Sequence, residues 1–280
     1  MKTQAVPVVS MNDGNTMPIL GFGVWQIEEG KACEEALETA LEAGYRHVDT
    51  AFDYRNEASV GRALGRSGIP REELFVTTKL WPGPDVEQVR VEMQKSLERL
   101  QMNFVDLYLI HVPIECYKKA WSVLESLKTE GKCRSIGVSN YTVERFERDR
   151  FFERTTTVPA VDQVEINVFN QRRDLAAYCN KKGFLLEAYR PLAGAQKLSN
   201  EVLKSIAKRA GKTVAQVMLR FLVQKGIAAI PKSATPERIR ENINIFDFAL
   251  DDEEMKKLES LHDDSYFSLP LPPPIRKIWY

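Results

Sequence analysis

Short apolar runs recur along this chain, and each is followed by a stretch whose apolar positions repeat with helical spacing. The successive runs end about 25 to 40 residues apart, which is the interval of one strand plus one helix. In Lys31–Ala43, for example, one helical face carries Ala32, Ala36, Leu37, Ala40 and Leu41. The pattern predicts strands at 18–22, 45–49, 74–79, 104–111, 135–139, 160–165, 184–189 and 227–231.

Similar helical spacing is found at 87–100, 118–130, 172–182 and 213–224, and in two C-terminal stretches at 235–244 and 251–261. In the last of these, Asp251 followed by Glu254 resembles a capping box. Eight strands that alternate with helices favour an α/β fold, a (β/α)8 TIM barrel, over an open sheet. No GxGxxG motif follows an early strand, which argues against a dinucleotide-binding open sheet.

The two ends of the chain differ from this repeat. Apolar residues flank Asn12-Asp13-Gly14, which predicts an N-terminal β-hairpin. The segment 268–280, SLPLPPPIRKIWY, is rich in proline and is expected to run extended as a tail. We expect Trp279 and Tyr280 at its end either to help close the substrate side or to dock elsewhere, for example on a second subunit. No linker interrupts the pattern, so residues 1–280 are predicted to form one domain.

The composition of the chain indicates which partners and which cellular compartment to expect. The 280 residues include 39 Lys and Arg against 39 Asp and Glu, so no bulk attraction to nucleic acid or anionic lipid is expected. No apolar stretch suits a membrane span, and the first residues lack a signal-peptide core. The four cysteines, Cys33, Cys116, Cys133 and Cys179, form no CxxC pair, so we expect reduced thiols, no bound metal and a cytoplasmic protein. The absence of net charge is compatible with a monomer.

Four polar residues mark the C-terminal ends of three predicted strands. They are Asp49, Tyr54 five positions later, Lys79 and His111. In a parallel barrel these strand ends converge on one pocket. A phenol, an ammonium, a carboxylate and an imidazole together suit the transfer of a proton to a carbonyl oxygen while hydride reaches its carbon. Catalysis of carbonyl reduction is therefore one prediction for this pocket.

In this hypothesis each of the four has a role. A free tyrosine has a pKa of about 10, too high for fast proton donation at neutral pH. A Lys79 ammonium beside Tyr54 would lower that pKa, Asp49 would hold Lys79, and His111 would orient the carbonyl. Lys79 also permits a different chemistry, Schiff-base formation in an aldolase. Taken singly, each of these residues also fits ordinary packing or a solvated strand end.

Longer motifs add to this interpretation, and they occur in order along the chain. They are GYRHVDTAFDYRNEASVGRAL, REELFVTTKLW, VDLYLIHVP, SIGVSNY, PAVDQVEIN and IPKSATPERIRENINIFDF. With them the chain resembles the aldo-keto reductases from about Met17 to Leu261. The resemblance implies NADPH-dependent reduction of aldehydes and ketones, with Asp49, Tyr54, Lys79 and His111 as the catalytic tetrad. Some barrels of this family serve as cofactor-sensing subunits, which leaves a non-catalytic alternative.

The resemblance also implies where the nicotinamide of NADPH or NADP+ binds. Ser139, Asn140 and Gln163 would hold the carboxamide, and Tyr189 would stack on the ring. The remaining residues expected along this part of the cofactor are Gly23, Val24, Trp25, Asp49, Arg190, Pro191 and Leu192.

The segment IPKSATPERIREN resembles the family's site for the adenosine 2′-phosphate. Lys232, Ser233 and Arg238 would bind the phosphate, while Glu241 and Asn242 would contact the adenine. A dianionic phosphate suits a lysine point charge, an arginine fork and hydroxyl donors. NADPH is therefore favoured over NADH. Ala234 completes the predicted segment.

For the substrate, the resemblance implies a pocket formed by Trp25 and Trp81 beside Tyr54 and His111. Flat apolar walls would favour aromatic or medium-chain carbonyl compounds. The chain also departs from the family pattern, because Arg190 follows Tyr189 where a serine is common. Arg190 is expected either to reach the cofactor pyrophosphate or to replace contacts that are lost elsewhere.

Overall fold

A computed structural model of the protein describes residues 5–81, 86–113 and 117–267. Within these ranges a parallel sheet runs in chain order, each strand pairing with the next. Its strands are β3 (Phe22–Gly23), β4 (His47–Asp49), β5 (Phe75–Leu80), β6 (Val105–Ile110), β7 (Cys133–Ser139), β8 (Val161–Glu165), β9 (Leu185–Tyr189) and β10 (Ala228–Ala229). Each predicted apolar run overlaps one of them.

The sheet closes on itself between its first and last strands. Ala229 N donates to Ile19 O and Gly21 N donates to Ala229 O, both at 2.9 Å. Glycine is needed at position 21 because a Cβ there would lie 2.7 Å from the His47 ring. The closed parallel sheet confirms the predicted barrel.

The predicted hairpin is also present. β1 (Val8–Ser10) pairs antiparallel with β2 (Thr16–Pro18). Asn12 Nδ2 donates to Pro159 O at 2.8 Å, and Asn15 Nδ2 donates to Ser135 Oγ at 3.1 Å. Because these partners lie just before β8 and early in β7, the hairpin covers the N-terminal end of the barrel. The C-terminal strand ends are left for the site.

Helices surround the barrel, and seven of them match predicted stretches within a few residues. They are α1 (Lys31–Ala43), α3 (Val86–Leu100), α4 (Tyr117–Thr129), α7 (Arg173–Lys182), α9 (Val214–Gln224), α10 (Pro236–Ile243) and α11 (Asp252–Glu259). Asp251 and Glu254 at the start of α11 form the predicted capping box. Four of the five positions predicted to form the apolar face of α1 are buried, namely Ala36, Leu37, Ala40 and Leu41. Ala32 is exposed and Cys33 is buried in its place, because the buried face lies one position further along the first turn than the apolar pattern indicated.

Four further helices were not predicted: α2 (Glu57–Arg66), α5 (Val143–Asp149), α6 (Phe151–Arg154) and α8 (Glu201–Ala210). α2 includes Gly61 and Gly65, which weaken a helical pattern. α5 and α6 are too short to show a period. α8 shares the long interval between β9 and β10 with α9, whereas strict strand–helix alternation assigns one helix to each interval.

Three of the four cysteines lie within the described residues, and the predicted tail does not. Cys33, Cys133 and Cys179 are buried free thiols, and Cys116 lies outside the described residues. The predicted tail at 268–280, including Trp279 and Tyr280, also lies outside them and stays a prediction. In the ranges that the structure describes, no helix is long and apolar enough to cross a membrane.

Candidate active site

A buried lysine–aspartate pair lies at the C-terminal end of the barrel. Asp49 ends β4 and Lys79 lies near the end of β5. Lys79 Nζ donates to Asp49 Oδ1 at 2.7 Å, to Asp49 Oδ2 at 2.8 Å and to the backbone oxygen of Thr50 at 2.9 Å. The Lys79 side chain is fully buried. A buried ammonium of this kind requires such close partners.

Tyr54 lies next to this pair. It ends a short 3-10 helix, Phe52–Tyr54, that follows β4. Asn56 holds the loop in place, because its amide donates to the backbone oxygens of Val24 and Ile27, both at 2.9 Å. Lys79 Nζ lies 3.2 Å from Tyr54 Oη, so the phenol is within hydrogen-bonding distance of the ammonium.

The predicted pKa shift of Tyr54 is wrong in direction. Burial raises the pKa of the Tyr54 phenol well above 10, and the carboxylate charges of Asp49 and Asp53 raise it further. The Lys79 ammonium does not reverse this rise, because Asp49 binds it through both carboxylate oxygens and offsets its charge. Tyr54 is therefore held in its protonated form, which is the form that a proton donor needs.

The Asp49 carboxyl is subject to opposing influences. Burial raises its pKa, while the Lys79 ammonium and the amide of Gln163 act in the other direction. Its two oxygens together accept bonds from both partners, with Gln163 Nε2 at 2.8 Å from Oδ2. Hydrogen bonds thus replace the water that the carboxylate gave up.

His111 follows β6 and faces Tyr54 and Trp81. Its ring centroid lies 5.6 Å from that of Tyr54 and 5.3 Å from that of Trp81, in edge-to-face geometry in both cases. Burial, together with the charge of Lys79, lowers the pKa of His111 well below 6.5. The imidazole is therefore neutral at physiological pH, and it can offer a hydrogen bond without carrying a charge.

The residues expected around the nicotinamide carboxamide are joined by hydrogen bonds. Asn140 Nδ2 donates to His111 O at 2.9 Å and to Ser139 Oγ at 3.0 Å, and Asn140 Oδ1 accepts from Tyr189 Oη at 2.7 Å. Ser139 Oγ donates to the backbone oxygen of Gln163 at 2.7 Å. Neighbouring strand ends thus bring together residues that are far apart in sequence.

A cavity of about 1050 Å³ extends from Tyr54 to Arg238. Of the predicted residues, it is lined by Gly23, Trp25, Asp49, Tyr54, Trp81, His111, Ser139, Asn140, Gln163, Tyr189, Arg190, Pro191, Leu192, Lys232, Ser233, Arg238, Glu241 and Asn242. Lys79 is buried behind the lining, in contact with Tyr54. Val24 and Ala234 are not in the lining either, since Val24 is buried in the framework of its loop and Ala234 is exposed.

The far end of the cavity is basic. Lys232 and Arg238 are exposed there, and Arg238 lies in the first turn of α10. Ser233 Oγ accepts from Thr235 N at 3.0 Å, which shapes the turn before the helix. A helix N-terminus flanked by a lysine and an arginine suits a phosphate group. The predicted 2′-phosphate residues therefore fit the group by chemistry and by placement.

Arg190 has partners that the sequence did not reveal. Its Nη1 donates to Phe267 O at 2.8 Å, and its guanidinium lies 4.6 Å from the centroid of the Trp25 ring. Arg190 thus connects the loop after β3 to the segment before residue 268. Neither partner was expected from the sequence, and the expected contact with the cofactor pyrophosphate stays a prediction.

Sequence reasoning missed part of the cavity wall. The unpredicted lining residues are Gln26, Asp53, Arg172, Gly194, Ala195, Leu198, Thr213, Val214, Ala215, Ile230, Pro231 and Tyr266. Most lie in loops or at helix starts, where no periodic pattern gives a signal. Glu187 was also missed, although a carboxylate within the apolar run FLLEAY is a visible anomaly.

The fold and the site define a class of protein, a β/α-barrel enzyme with an acid–base centre beside an elongated, partly basic cleft. The model of the Aldo/keto reductase family matches residues 19–263. The chain therefore belongs to the aldo/keto reductase family.

Named relatives agree with this assignment. Glyoxal reductase of Bacillus subtilis is 43% identical over 266 residues, which cover 94% of this chain and 96% of the relative. Methylglyoxal reductase DkgA of Escherichia coli is 39% identical over 259 residues, which cover 91% and 93%. The crystal structure of a Bombyx mori aldo-keto reductase in complex with NADP has a TM-score of 0.88 at 33% identity and covers 95% of both chains.

Proposed function

We propose that this protein reduces small aldehydes and ketones to alcohols with NADPH, and that Tyr54 donates the proton. The observation that carries the proposal is the position of Lys79 Nζ, which contacts both Asp49 and Tyr54 beside the cavity. Relatives named glyoxal reductase and methylglyoxal reductase support a reductase rather than the cofactor-sensing alternative. The same contacts disfavour a Schiff-base aldolase, since hydrogen bonds to Asp49 and Thr50 hold Lys79 Nζ away from a bound carbonyl carbon.

The cofactor fits the lining of the cavity. Lys232 and Arg238 offer charge to a 2′-phosphate, and Ser139, Asn140 and Gln163 offer amide and hydroxyl groups at the other end. NADPH, when bound, supplies the hydride that adds to the carbonyl carbon. The NADP complex of the Bombyx mori relative supports the same cofactor here.

Residues of this chain donate the proton, stabilise the phenolate that forms and orient the carbonyl group. The Tyr54 hydroxyl passes its proton to the carbonyl oxygen as the carbon accepts hydride, which gives an alcohol and leaves a phenolate. The Lys79 ammonium, 3.2 Å from Tyr54 Oη, stabilises this developing negative charge. Asp49 keeps Lys79 in position, and neutral His111 donates a hydrogen bond that orients the carbonyl oxygen. In the reverse direction the Tyr54 phenolate would accept the proton of an alcohol.

For the substrate we propose short 2-oxoaldehydes. The relatives named glyoxal reductase and methylglyoxal reductase support this class. Trp25, Trp81 and Tyr54 line the cavity with flat apolar surface, which suits a small carbonyl compound with few polar groups.

We also propose that the protein is a monomer, that it acts in the cytoplasm and that it does not bind nucleic acid. The formal net charge of zero supports the last point. Size-exclusion chromatography with light scattering tests the monomer directly, and a mass of two or more chains would contradict it.

The test is NADPH consumption with a panel of 2-oxoaldehydes, simple aldehydes, ketones and keto acids. Wild type should reduce members of the panel, whereas Tyr54→Phe should lose about 100-fold or more of kcat. Tyr178→Phe is the matched control, because Tyr178 Oη donates to Glu147 in the outer helical layer and does not line the cavity. Tight NADPH binding without turnover in wild type would contradict the proposal, as would equal activity in Tyr54→Phe.

A further inference from the structure

A second carboxylate lies near the tetrad in the barrel interior. Glu187 is in β9, is fully buried and pairs in register with Gln163 of β8. Two residues in register on parallel strands point to the same face, so both side chains point into the barrel. The proton transfer from Tyr54 does not use Glu187, although a buried carboxylate carries a cost that its partners must offset.

Gln163 connects this carboxylate to the active site. Its Nε2 donates to Asp49 Oδ2 at 2.8 Å and to Glu187 Oε2 at 2.7 Å. An amide nitrogen has two hydrogens, so both are used by these two carboxyl groups. The amide oxygen is then the group that Gln163 can offer to the cavity it lines.

The surroundings of Glu187 favour its protonated form. His47 Nδ1 lies 3.3 Å from Pro18 O, which can only accept, so Nδ1 carries the imidazole hydrogen. His47 Nε2 is then an acceptor, with Thr77 Oγ1 at 3.2 Å as its hydrogen-bond partner. It also lies 3.5 Å from Glu187 Oε1, a buried oxygen that has no hydrogen-bond partner among the described residues. Burial lowers the pKa of His47 to about 4, so the ring does not supply a second hydrogen. A hydrogen on Glu187 Oε1 removes the repulsion between two acceptors.

The charged groups that face Glu187 act in the same direction. Burial and the Asp49 carboxylate raise the pKa of Glu187 to about 8, although Gln163 and Lys79 oppose the rise. At neutral pH Glu187 is thus an uncharged acid that still accepts from Gln163 through Oε2. The interior beside Tyr54 then contains one balanced ion pair, Lys79 with Asp49.

We propose that Glu187 is a positioning residue that fixes the amide of Gln163. With its nitrogen bonded to Asp49 and Glu187, Gln163 presents its oxygen to the amide hydrogens of the nicotinamide carboxamide. The inference rests on the proposed function, since it requires the nicotinamide to bind at this end of the cavity. Protonated Glu187 contributes orientation without adding a charge beside the ion pair.

The test measures cofactor affinity by the quenching of tryptophan fluorescence. The variants are Glu187→Leu, Glu187→Gln, Gln163→Leu and the double variant with both leucines. Glu187→Leu should weaken NADP+ binding roughly tenfold, the effect of one hydrogen bond. Glu187→Gln, which resembles the protonated acid, should stay within about twofold of wild type. The double variant should bind no more weakly than Gln163→Leu.

A cofactor analogue makes the test specific to the carboxamide. The 3-acetylpyridine analogue of NADP+ has a methyl group in place of the amide nitrogen, so it cannot donate to Gln163. Its affinity should be the same for wild type and Glu187→Leu. Equal weakening of NADP+ and of the analogue would overturn the proposal, and so would additive losses in the double variant, since either result would show a general effect on the barrel.

A replacement variant and a separate readout distinguish misfolding, failure of the proposed function and failure of the positioning role. If thermal melting shows that Glu187→Leu does not fold, Glu187→Met takes its place with the same expectations. A failure of the proposed function would show as unchanged turnover in Tyr54→Phe. A failure of the positioning role of Glu187 would show in the cofactor affinities while Tyr54→Phe remained impaired.

Discussion

At the scale of single residues, chemistry depends on which charges are paired inside the barrel. The sequence allowed the prediction that Asp49 and Lys79 would meet, because both stand at strand ends. It did not reveal the direction of the Tyr54 pKa shift, which depends on how completely Asp49 offsets Lys79 and on how deeply the phenol is buried. Nor did it single out Glu187, whose contact with Gln163 forms across neighbouring strands.

The Lys79–Asp49 pair gives a prediction about stability. Lys79→Met leaves the buried Asp49 carboxylate without its counter-ion, so it should lower the free energy of unfolding by about 3–5 kcal/mol. Adding Asp49→Asn removes the remaining charge and should recover most of that loss, but neither variant should regain turnover. Urea denaturation measures the stabilities. A double variant no more stable than Lys79→Met would contradict this account.

The imidazole of His111 gives a prediction about pH. Its pKa lies well below 6.5, so the ring is neutral above that pKa and charged only in more acidic solution. The kcat for carbonyl reduction should therefore be flat between about pH 5.5 and 7.5, where an ordinary histidine would titrate. His262→Gln is the control, because His262 does not line the cavity, and its profile should match wild type. A break near the ordinary histidine pKa of about 6.5 that disappears in His111→Gln would disprove the neutral-imidazole assignment.

At the scale of elements, strand positions follow from the sequence because apolar runs and helical spacing are local signals. The unpredicted helices α2 and α8 show the limit of this approach. α2 needs glycine where it packs closely on α3, because a Cβ at Gly61 would lie 2.5 Å from Leu100 O. α8 forms in an interval between β9 and β10 that is long enough for two helices. The close approach at Gly61 depends on packing between distant segments. By contrast, α8 has local signals, since Asn200 caps its first turn and Leu203 and Ile206 are buried on one face, so the sequence itself would have allowed its prediction.

The first turn of α10 gives a prediction about cofactor choice. Arg238 lines the cavity, so Arg238→Ala should raise the KM for NADPH roughly 10- to 100-fold through the loss of a charged hydrogen bond. The KM for NADH, which has no 2′-phosphate, should not change. Arg240→Ala is the matched control on the same helix, because Arg240 lies 3.8 Å from Glu42 and does not line the cavity. Equal increases in the KM for NADPH and in the KM for NADH would show that the 2′-phosphate does not bind at Arg238.

At the scale of the whole molecule, the barrel forms the site by closing. Closure between Ile19–Gly21 and Ala229 brings the loop after β3 next to the loop after β10, so that Trp25 and Lys232 line one cavity. The sequence indicated a barrel through the number and order of its strands. It contained no signal for Arg172 or Tyr266 in the cavity wall, because their placement depends on loops that cross the finished barrel.

Close packing within the barrel gives a prediction about folding stability. A Cβ at Gly137 in β7 would lie 2.4 Å from Val161 O, so Gly137→Ala should cost about 1–3 kcal/mol of unfolding free energy. Gly65→Ala is the control, because Gly65 is exposed in α2 with open space around it and should gain about 1 kcal/mol. Denaturation curves compare the two. A neutral Gly137→Ala would mean that β7 and β8 can separate at little cost.

The proton donated by Tyr54 is the central claim, and a single-turnover experiment tests it most directly. Wild type and Tyr54→Phe, each loaded with NADPH, are mixed with excess methylglyoxal, and the decay of the nicotinamide signal is followed. We expect both proteins to bind NADPH equally and the decay in Tyr54→Phe to be about 100- to 10,000-fold slower. A decay in Tyr54→Phe as fast as in wild type would contradict the claim, since another group would then supply the proton.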